Sequence, residues 1–339
     1  MCLIKTHWDK AQQSEVPHFR RTQAKSKPVV RHPHHRHTVH ATQSGDDDDD
    51  DDDDNNDNKH VANRRDVNKG WPKEAHYEPI VSPARTLGIK NQPFPLRAVV
   101  KAAIKHVTGD IIFDSAYPSA DLNNFNKYHR QVLVESARSL SYNHLAGRFK
   151  KDDELLKLIA GVVNARTSRI RTQFKEVTDS KIEGFYLSVG TSKDTTARLA
   201  YLINQMNYIY PLKQHNEDLD VNCPYGHPAV ISSIKHYFFV GDRGSSLANK
   251  HSTCFTSSFK DGPLSLELEL PIAMVSLAAT AIHASLVKWD ETGSQKSKGF
   301  RAEEYQDIYE GHEAFLQSLK AEWLKFFHKT MHALHEIVA

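Results

Sequence analysis

Two pairs of cysteine and histidine residues have spacings that suit metal ligands. Cys223 and His227 have three residues between them, and His251 and Cys254 have two. A tetrahedral zinc ion binds a set of two thiolates and two imidazole nitrogens of this kind. The spacing is not that of a known zinc finger, and His227 before Pro228 would also act as a helix cap. The four residues are therefore a candidate zinc site, and local structural roles are the alternative.

A second group of histidines lies near the C-terminus. His328, His332 and His335 fall on one face of a predicted helix, beside its apolar stripe. The H-E-x-x-H motif of zinc enzymes does not accompany them, because His335-Glu336 has the wrong order. The pattern is typical of a row of surface histidines, and a metal site is the alternative.

Signatures of common enzyme classes are missing from the sequence. There is no Walker A sequence, Rossmann fingerprint, G-x-S-x-G elbow or kinase motif set. A thiolate at Cys223 or Cys254, activated by a histidine, would depend on a pairing in space that sequence cannot show. We assign no catalytic residue, expect no cofactor other than zinc, and favour a protein that is not an enzyme.

A basic helix provides one further candidate surface. Apolar residues between positions 159 and 177 align on one helical face, after an acidic start at Asp152 and Asp153 that would cap the helix. Three basic side chains could contact phosphates, Arg169 and Arg171 on either side of the stripe and Lys175 facing outward, and the favoured alternative is that they are solvated. Arg166 lies at the border of the stripe, and we expect it to be a buried ion-pair member because half-buried arginines are usually paired.

These residues must be positioned by a core, and the stretch from Leu270 to Trp289 is its predicted centre. It has no charged side chain before Lys288, and apolar residues lie on every side of the helical wheel, which is typical of a buried helix. A membrane span is the alternative, but the many alanines and polar residues favour a core helix. Alternating leucines from Leu264 to Leu270 predict a half-buried extended segment before it. The first helix of the domain is predicted to end at Thr108-Gly109.

The chain divides into an arm and a domain. Residues 1–75 are rich in histidine and basic residues before nine consecutive aspartates, Asp46 to Asp54, and are predicted to be disordered. Residues 76–94 are predicted to be a proline-rich linker. Residues 95–339 are predicted to form a mainly α domain, a single globular bundle of about seven helices with a short extended segment.

Cysteine usage and charge bear on location and partners. The three cysteines are an odd number and no Asn-x-Ser/Thr acceptor occurs, so we expect an intracellular protein, in the cytoplasm or nucleus. The N-terminal apolar run is too short for a secretory signal. A formal net charge of +2 lacks the basic excess of a dedicated nucleic-acid binder. We expect no membrane partner.

Several segments, in the same order, carry a resemblance to a known family. They are Gln131 to Ala137, Asn164 to Lys175, Tyr208 to Pro211, Tyr225 to Pro228 with Phe238-Phe239, and Leu270 to Trp289. With them, residues 95–338 resemble the domain of unknown function 6532 of mushroom-forming (basidiomycete) fungi. The resemblance implies a fungal origin and a helical domain, and it implies no activity. Cys223 and Cys254 are not part of the family pattern, which weakens the zinc hypothesis.

The sequence therefore favours a non-catalytic helical interaction module that carries a charged disordered arm and binds a protein partner. The first alternative is a metal-binding protein or enzyme that uses the cysteine and histidine residues. The second is weak nucleic-acid binding through the basic helix.

Overall fold

Helices make up nearly all the regular structure of this protein, as a computed structural model shows. The structure describes residues 67–79, 87–117, 122–187, 192–213, 218–240, 245–292, 300 and 302–339. Within these ranges there is no β-strand beyond one isolated bridge between Leu212 and Leu219. The predicted mainly α fold is confirmed. The predicted disordered arm lies, up to residue 66, outside the described residues.

The α-helices are labelled in chain order. They are α1 (Phe94–Phe113), α2 (Leu122–Ser139), α3 (Asn143–Lys151), α4 (Asp153–Ile182), α5 (Ser192–Ile203), α6 (Pro228–Ile234), α7 (Ser245–Lys250), α8 (Ile272–Thr292), α9 (Ala302–Glu322) and α10 (Leu324–Val338). Shorter 3-10 and π turns connect several of them. Helix α1 does not end at Thr108-Gly109, as the sequence predicted, but continues for another turn.

Helix α8 is the centre of the fold, as predicted. Its side chains from Ala273 to Ile282 are all buried, and it packs against α1, α4, α5, α6 and α9. The stretch Ile272–Asp290 is long and apolar enough to cross a membrane by length and composition alone, but 78% of it is buried within the fold. Burial against protein on so many sides is what a core helix requires. Pro271 precedes its first turn, where a missing N–H costs no helical hydrogen bond.

Helix α4 begins at the acidic residues that the sequence indicated. The side chain of Asp152 accepts a hydrogen bond from the backbone N–H of Leu155 at 3.0 Å, so it is the N-cap. Asp153 and Glu154 place negative charge against the positive end of the helix dipole. The helix then passes between α1 and α8 and packs against both.

The packed structure starts before the predicted boundary at residue 95. Arg148 of α3 is fully buried, and its Nη1 donates to Asn68 Oδ1 at 2.9 Å and to Ala75 O at 2.7 Å. The rings of Trp71 and Tyr77 lie 5.2 and 4.8 Å from the same guanidinium carbon. A buried cation must be paired and hydrogen-bonded, and residues 68–77 supply most of these contacts. This segment is therefore part of the domain rather than of the arm or a linker.

The alternating leucine segment differs from its prediction. Leu266 is 83% exposed and Leu268 also lies at the surface, whereas Leu270 is buried. A 3-10 turn at Pro263–Leu266 interrupts the period of two, so the extended part is shorter than predicted. The acidic Glu269 of this segment is buried as well as Leu270.

Candidate functional site

The first cysteine and histidine pair has structural roles. Cys223 is buried, and burial raises the pKa of its thiol to about 12. His227 is the N-cap of α6: its Nδ1 accepts a hydrogen bond from the N–H of Ala229 at 3.1 Å. Its ring stacks on that of Tyr186 at a centroid distance of 4.3 Å. Burial lowers the pKa of His227 to about 3, so the imidazole is neutral and can accept this bond.

The second pair lies elsewhere, at a turn that packs against α1. His251 precedes the 3-10 turn Ser252–Cys254, and Cys254 is its last residue and is exposed. Within the described part of the chain, no group of three or more His, Cys, Asp or Glu side chains could hold a metal ion. The four residues predicted as zinc ligands are therefore not brought together as one site.

The basic face predicted on α4 is also not formed. Arg171 is buried, and its Nη1 donates to Ala116 O at 3.0 Å while its guanidinium lies 5.0 Å from the Tyr117 ring. Lys175 is buried with its Nζ 2.7 Å from a carboxylate oxygen of Asp179. These two side chains hold the fold together and cannot also contact phosphates.

The ion-pair prediction for Arg166 is wrong, because Arg166 is exposed. Lys175 is the buried ion-pair member instead. Arg169 is half-buried and has contacts of its own within the protein. Lys175 is buried because α4 packs against other helices on two sides, so its buried surface extends beyond the single apolar stripe that the sequence shows.

The C-terminal histidines are mostly buried rather than forming a surface row. The Nδ1 of His328 lies 2.6 Å from Glu269 Oε1, and its Nε2 lies 2.8 Å from Glu267 Oε2. A protonated imidazole has an N–H on each nitrogen and would satisfy both carboxylates. His332 Nδ1 donates to the carbonyl of Leu268 at 2.9 Å. His335 is buried too. These contacts hold the segment 267–269, which precedes α8, against helix α10.

A further buried network joins tyrosines and a histidine, and the sequence did not indicate it. The hydroxyl of Tyr208 lies 2.6 Å from His312 Nε2, and that of Tyr225 lies 3.1 Å from His312 Nδ1. Burial, and then the nearby His283, lowers the pKa of His312 to about 3. A neutral imidazole has one donor and one acceptor nitrogen, so one tyrosine donates and the other accepts. All three side chains are shut off from solvent, which makes this network part of the core.

An open groove lies where α1, α2 and the turn at residues 251–254 meet. Its volume is about 620 Å³. Helix α1 and its C-cap contribute Ala102, Lys105, His106, Gly109, Asp110, Phe113 and Asp114. Helix α2 contributes Glu135, Ser136 and Ser139, and the turn contributes His251 and Cys254. We refer to these residues as the α1–α2 groove. It is the candidate functional site, because it combines ionisable, apolar and thiol groups at an accessible surface.

One wall of the groove is aromatic and depends on a glycine. A Cβ at Gly109 would lie only 3.3 Å from Cε1 of His251, so the absence of a side chain lets the ring approach the α1 backbone. The His251 ring is 5.9 Å from that of Phe113, which in turn makes an edge contact with Phe255 at 5.1 Å. The interlocked rings fix the shape of this wall.

Three carboxylates lie in the groove beside this wall, from Asp110, Asp114 and Glu135. Tyr128 donates its hydroxyl hydrogen to Asp110 Oδ2 at 2.6 Å, and His106 Nε2 lies 3.7 Å from Asp110 Oδ1. The pKa of Asp114 is raised by burial and then by the charge of Asp110, which means that the two carboxyl groups are close enough to repel each other. Glu135 of α2 is exposed on the facing side.

The fold and the groove define an all-α domain with a preformed surface cavity. A family model described as Domain of unknown function (DUF6532) matches residues 102–319, which is more than half of the chain. The protein therefore belongs to this family, and the resemblance seen in the sequence is confirmed. All the residues that line the α1–α2 groove fall within the matched range. No curated protein and no solved structure matches the chain.

Proposed function

We propose that this protein is a non-catalytic helical interaction module that binds a protein partner in the α1–α2 groove. The observation that carries the proposal is the groove itself. Its volume of about 620 Å³ is in the range of ligand-binding clefts, roughly 300–1,000 Å³. Its lining comes largely from the long helices α1 and α2, which pack against each other, so the cavity is open before a partner arrives.

The chemistry of the interior supports a binding role over a catalytic one. The Tyr208–His312–Tyr225 network is shut off from solvent, and the His328 ring is held between two carboxylates. The thiol of Cys223 is held protonated by burial and is therefore a poor nucleophile. Among the described residues, these groups serve hydrogen bonding and packing within the fold.

Photo-crosslinking in extracts of the native cell tests the proposal. A p-benzoyl-phenylalanine at Leu140 is placed on an exposed position next to the groove residue Ser139. The matched control carries the same group at Glu176, which is exposed on α4 and outside the groove. We expect one partner to crosslink from position 140 and not from position 176.

A variant that fills the groove makes the test specific. Cys254→Trp places a large side chain at an exposed groove position and should abolish crosslinking from position 140 while the melting temperature stays unchanged. Equal capture from both positions, or capture that survives Cys254→Trp, would show that the groove is not the binding surface.

A further inference from the structure

We infer that the α1–α2 groove recognises a basic side chain, an arginine or lysine of the partner protein. This inference rests on the proposed function and specifies the chemistry of the partner. The cation would be held at the carboxylates of the groove, and its aliphatic stem would lie against the aromatic wall. The groove thus contributes both of the features by which an amphipathic basic side chain is bound.

The arrangement of charge in the groove favours a cation. Asp110 lies in the last turn of α1 and Asp114, four residues later, is its C-cap, while Glu135 lies opposite on α2. The pKa of Asp114 is raised by burial and then by the charge of Asp110, and a cation bound beside the two carboxyl groups would offset both effects. Lys105 is the groove residue of opposite sign, and it lies five residues before Asp110 and nine before Asp114, or about 7.5 and 13.5 Å along the helix axis. Three carboxylates against this one lysine leave the groove with an acidic excess.

His251 is a second, independent feature that points to a ligand. Its exposed fraction is only 9%, and it lines the groove. Among the described residues, neither of its ring nitrogens has a hydrogen-bond partner, and neither is among the buried unpartnered atoms, so both nitrogens are accessible from the groove. Its pKa is lowered by burial and then by Lys105 and Lys250, so the ring is a neutral donor and acceptor. A bound main chain or side chain would hydrogen-bond to these accessible nitrogens.

The aromatic wall suits the stem of such a side chain. The rings of Phe113 and His251 stand at 50° to each other with their centroids 5.9 Å apart, and they form a concave apolar surface beside the carboxylates. Arginine and lysine bury their methylene groups on apolar surface while the charged end remains at a polar site. An aspartate or glutamate in the same position would face like charges.

Fluorescence anisotropy with defined peptides tests this recognition. The probes are fluorescein-labelled heptapeptides with a central arginine or lysine between two leucines, and matched peptides with norleucine or glutamate at the centre. The full chain should bind the arginine and lysine peptides and should not bind the other two. In the Asp110→Asn, Asp114→Asn variant we expect affinity to fall by about fivefold, since exposed ion pairs each contribute modestly.

A charge-matched variant separates local recognition from net charge. Glu176→Gln, Glu183→Gln removes two exposed carboxylates outside the groove and should leave peptide affinity unchanged. Circular dichroism and melting temperature confirm that both double variants are folded. The inference would be overturned if the norleucine peptide bound as well as the arginine peptide, or if the groove variant bound as well as the parent. It would also be overturned if no peptide bound at protein concentrations up to about 1 mM, the range of weak binding. Crosslinking from position 140 that persists in those cases would leave the interaction module standing and remove only the basic side chain.

Discussion

Removing Asp179 should destabilise the protein more than the loss of a surface ion pair would. Lys175 Nζ lies 2.8 and 2.7 Å from the two carboxylate oxygens of Asp179, and the hydroxyl of Ser285 donates to the same carboxylate at 2.5 Å. The side chains of Lys175 and Asp179 are only 3% and 14% exposed. Asp179→Ala would leave a buried ammonium group and a buried hydroxyl without this partner.

The magnitude follows from that burial. Breaking a buried ion pair by removing one partner costs about 3–5 kcal/mol. Asp179 retains some contact with solvent, so we expect the free energy of unfolding to fall by about 3 kcal/mol, at the lower end of this range. Urea denaturation followed by circular dichroism measures the change, provided that the slope of unfolding free energy against urea stays constant.

The double variant Lys175→Met, Asp179→Leu is the matched control. It replaces both charges with apolar groups of similar size, and such replacements are often neutral or stabilising. The double variant should therefore recover most of the stability that Asp179→Ala loses. A loss below about 1 kcal/mol for Asp179→Ala, as measured for exposed pairs, would refute the view that this pair is buried and structural.

Three further changes test other parts of the fold. Ala284→Leu should lower the free energy of unfolding by about 1–3 kcal/mol, because Ala284 is fully buried on α8 and a larger side chain overpacks the core; urea denaturation that matches the parent would contradict this. The pKa of His312 is lowered from 6.5 to about 3 in the folded protein, so the unfolded chain binds the extra proton. Stability should therefore decrease as the pH falls below about 6.5 towards 3, and His312→Asn should make melting temperature less dependent on pH. Finally, a chromogenic disulfide reagent should modify the exposed Cys254 rapidly and the buried Cys223 only on unfolding; similar rates for the two single-cysteine variants would argue against this burial.

Hydrophobic pattern was sufficient to predict the core but not the polar groups within it. The uncharged stretch of α8 is buried because it has no charged side chain on any face. The N-cap of α4 depends only on Asp152 and the backbone N–H of Leu155, three positions later. Both signals are local. Lys175 looked like a surface residue because its counter-ion, Asp179, is recognisable only when the helix is known to be buried on a second side.

Long-range polar contacts explain the remaining differences. Glu269 and His328 are 59 residues apart, and Tyr208 and His312 are 104 apart, yet each pair is buried and hydrogen-bonded. Burying any one of these polar side chains costs free energy that only its distant partner offsets. Without knowledge of the partner, the sequence therefore predicts each of them to lie at the surface. The α1–α2 groove is of the same kind: its carboxylates come from two helices, and His251 comes from a turn more than a hundred residues later.

Gly109 connects the stability of α1 to the shape of the groove. A glycine inside a helix is less stable than alanine by roughly 0.5–1 kcal/mol, which is why the sequence predicted a helix end there. The helix continues to Phe113, and the ring of His251 occupies the space above Gly109. Gly109→Ala would place a Cβ 3.3 Å from that ring and move it by a few tenths of an ångström. We therefore expect unfolding free energy close to the parent value, since the helical gain offsets the crowding, together with weaker binding of the arginine peptide. Unchanged peptide affinity in a folded Gly109→Ala protein would mean that the position of the His251 ring does not determine recognition in the groove.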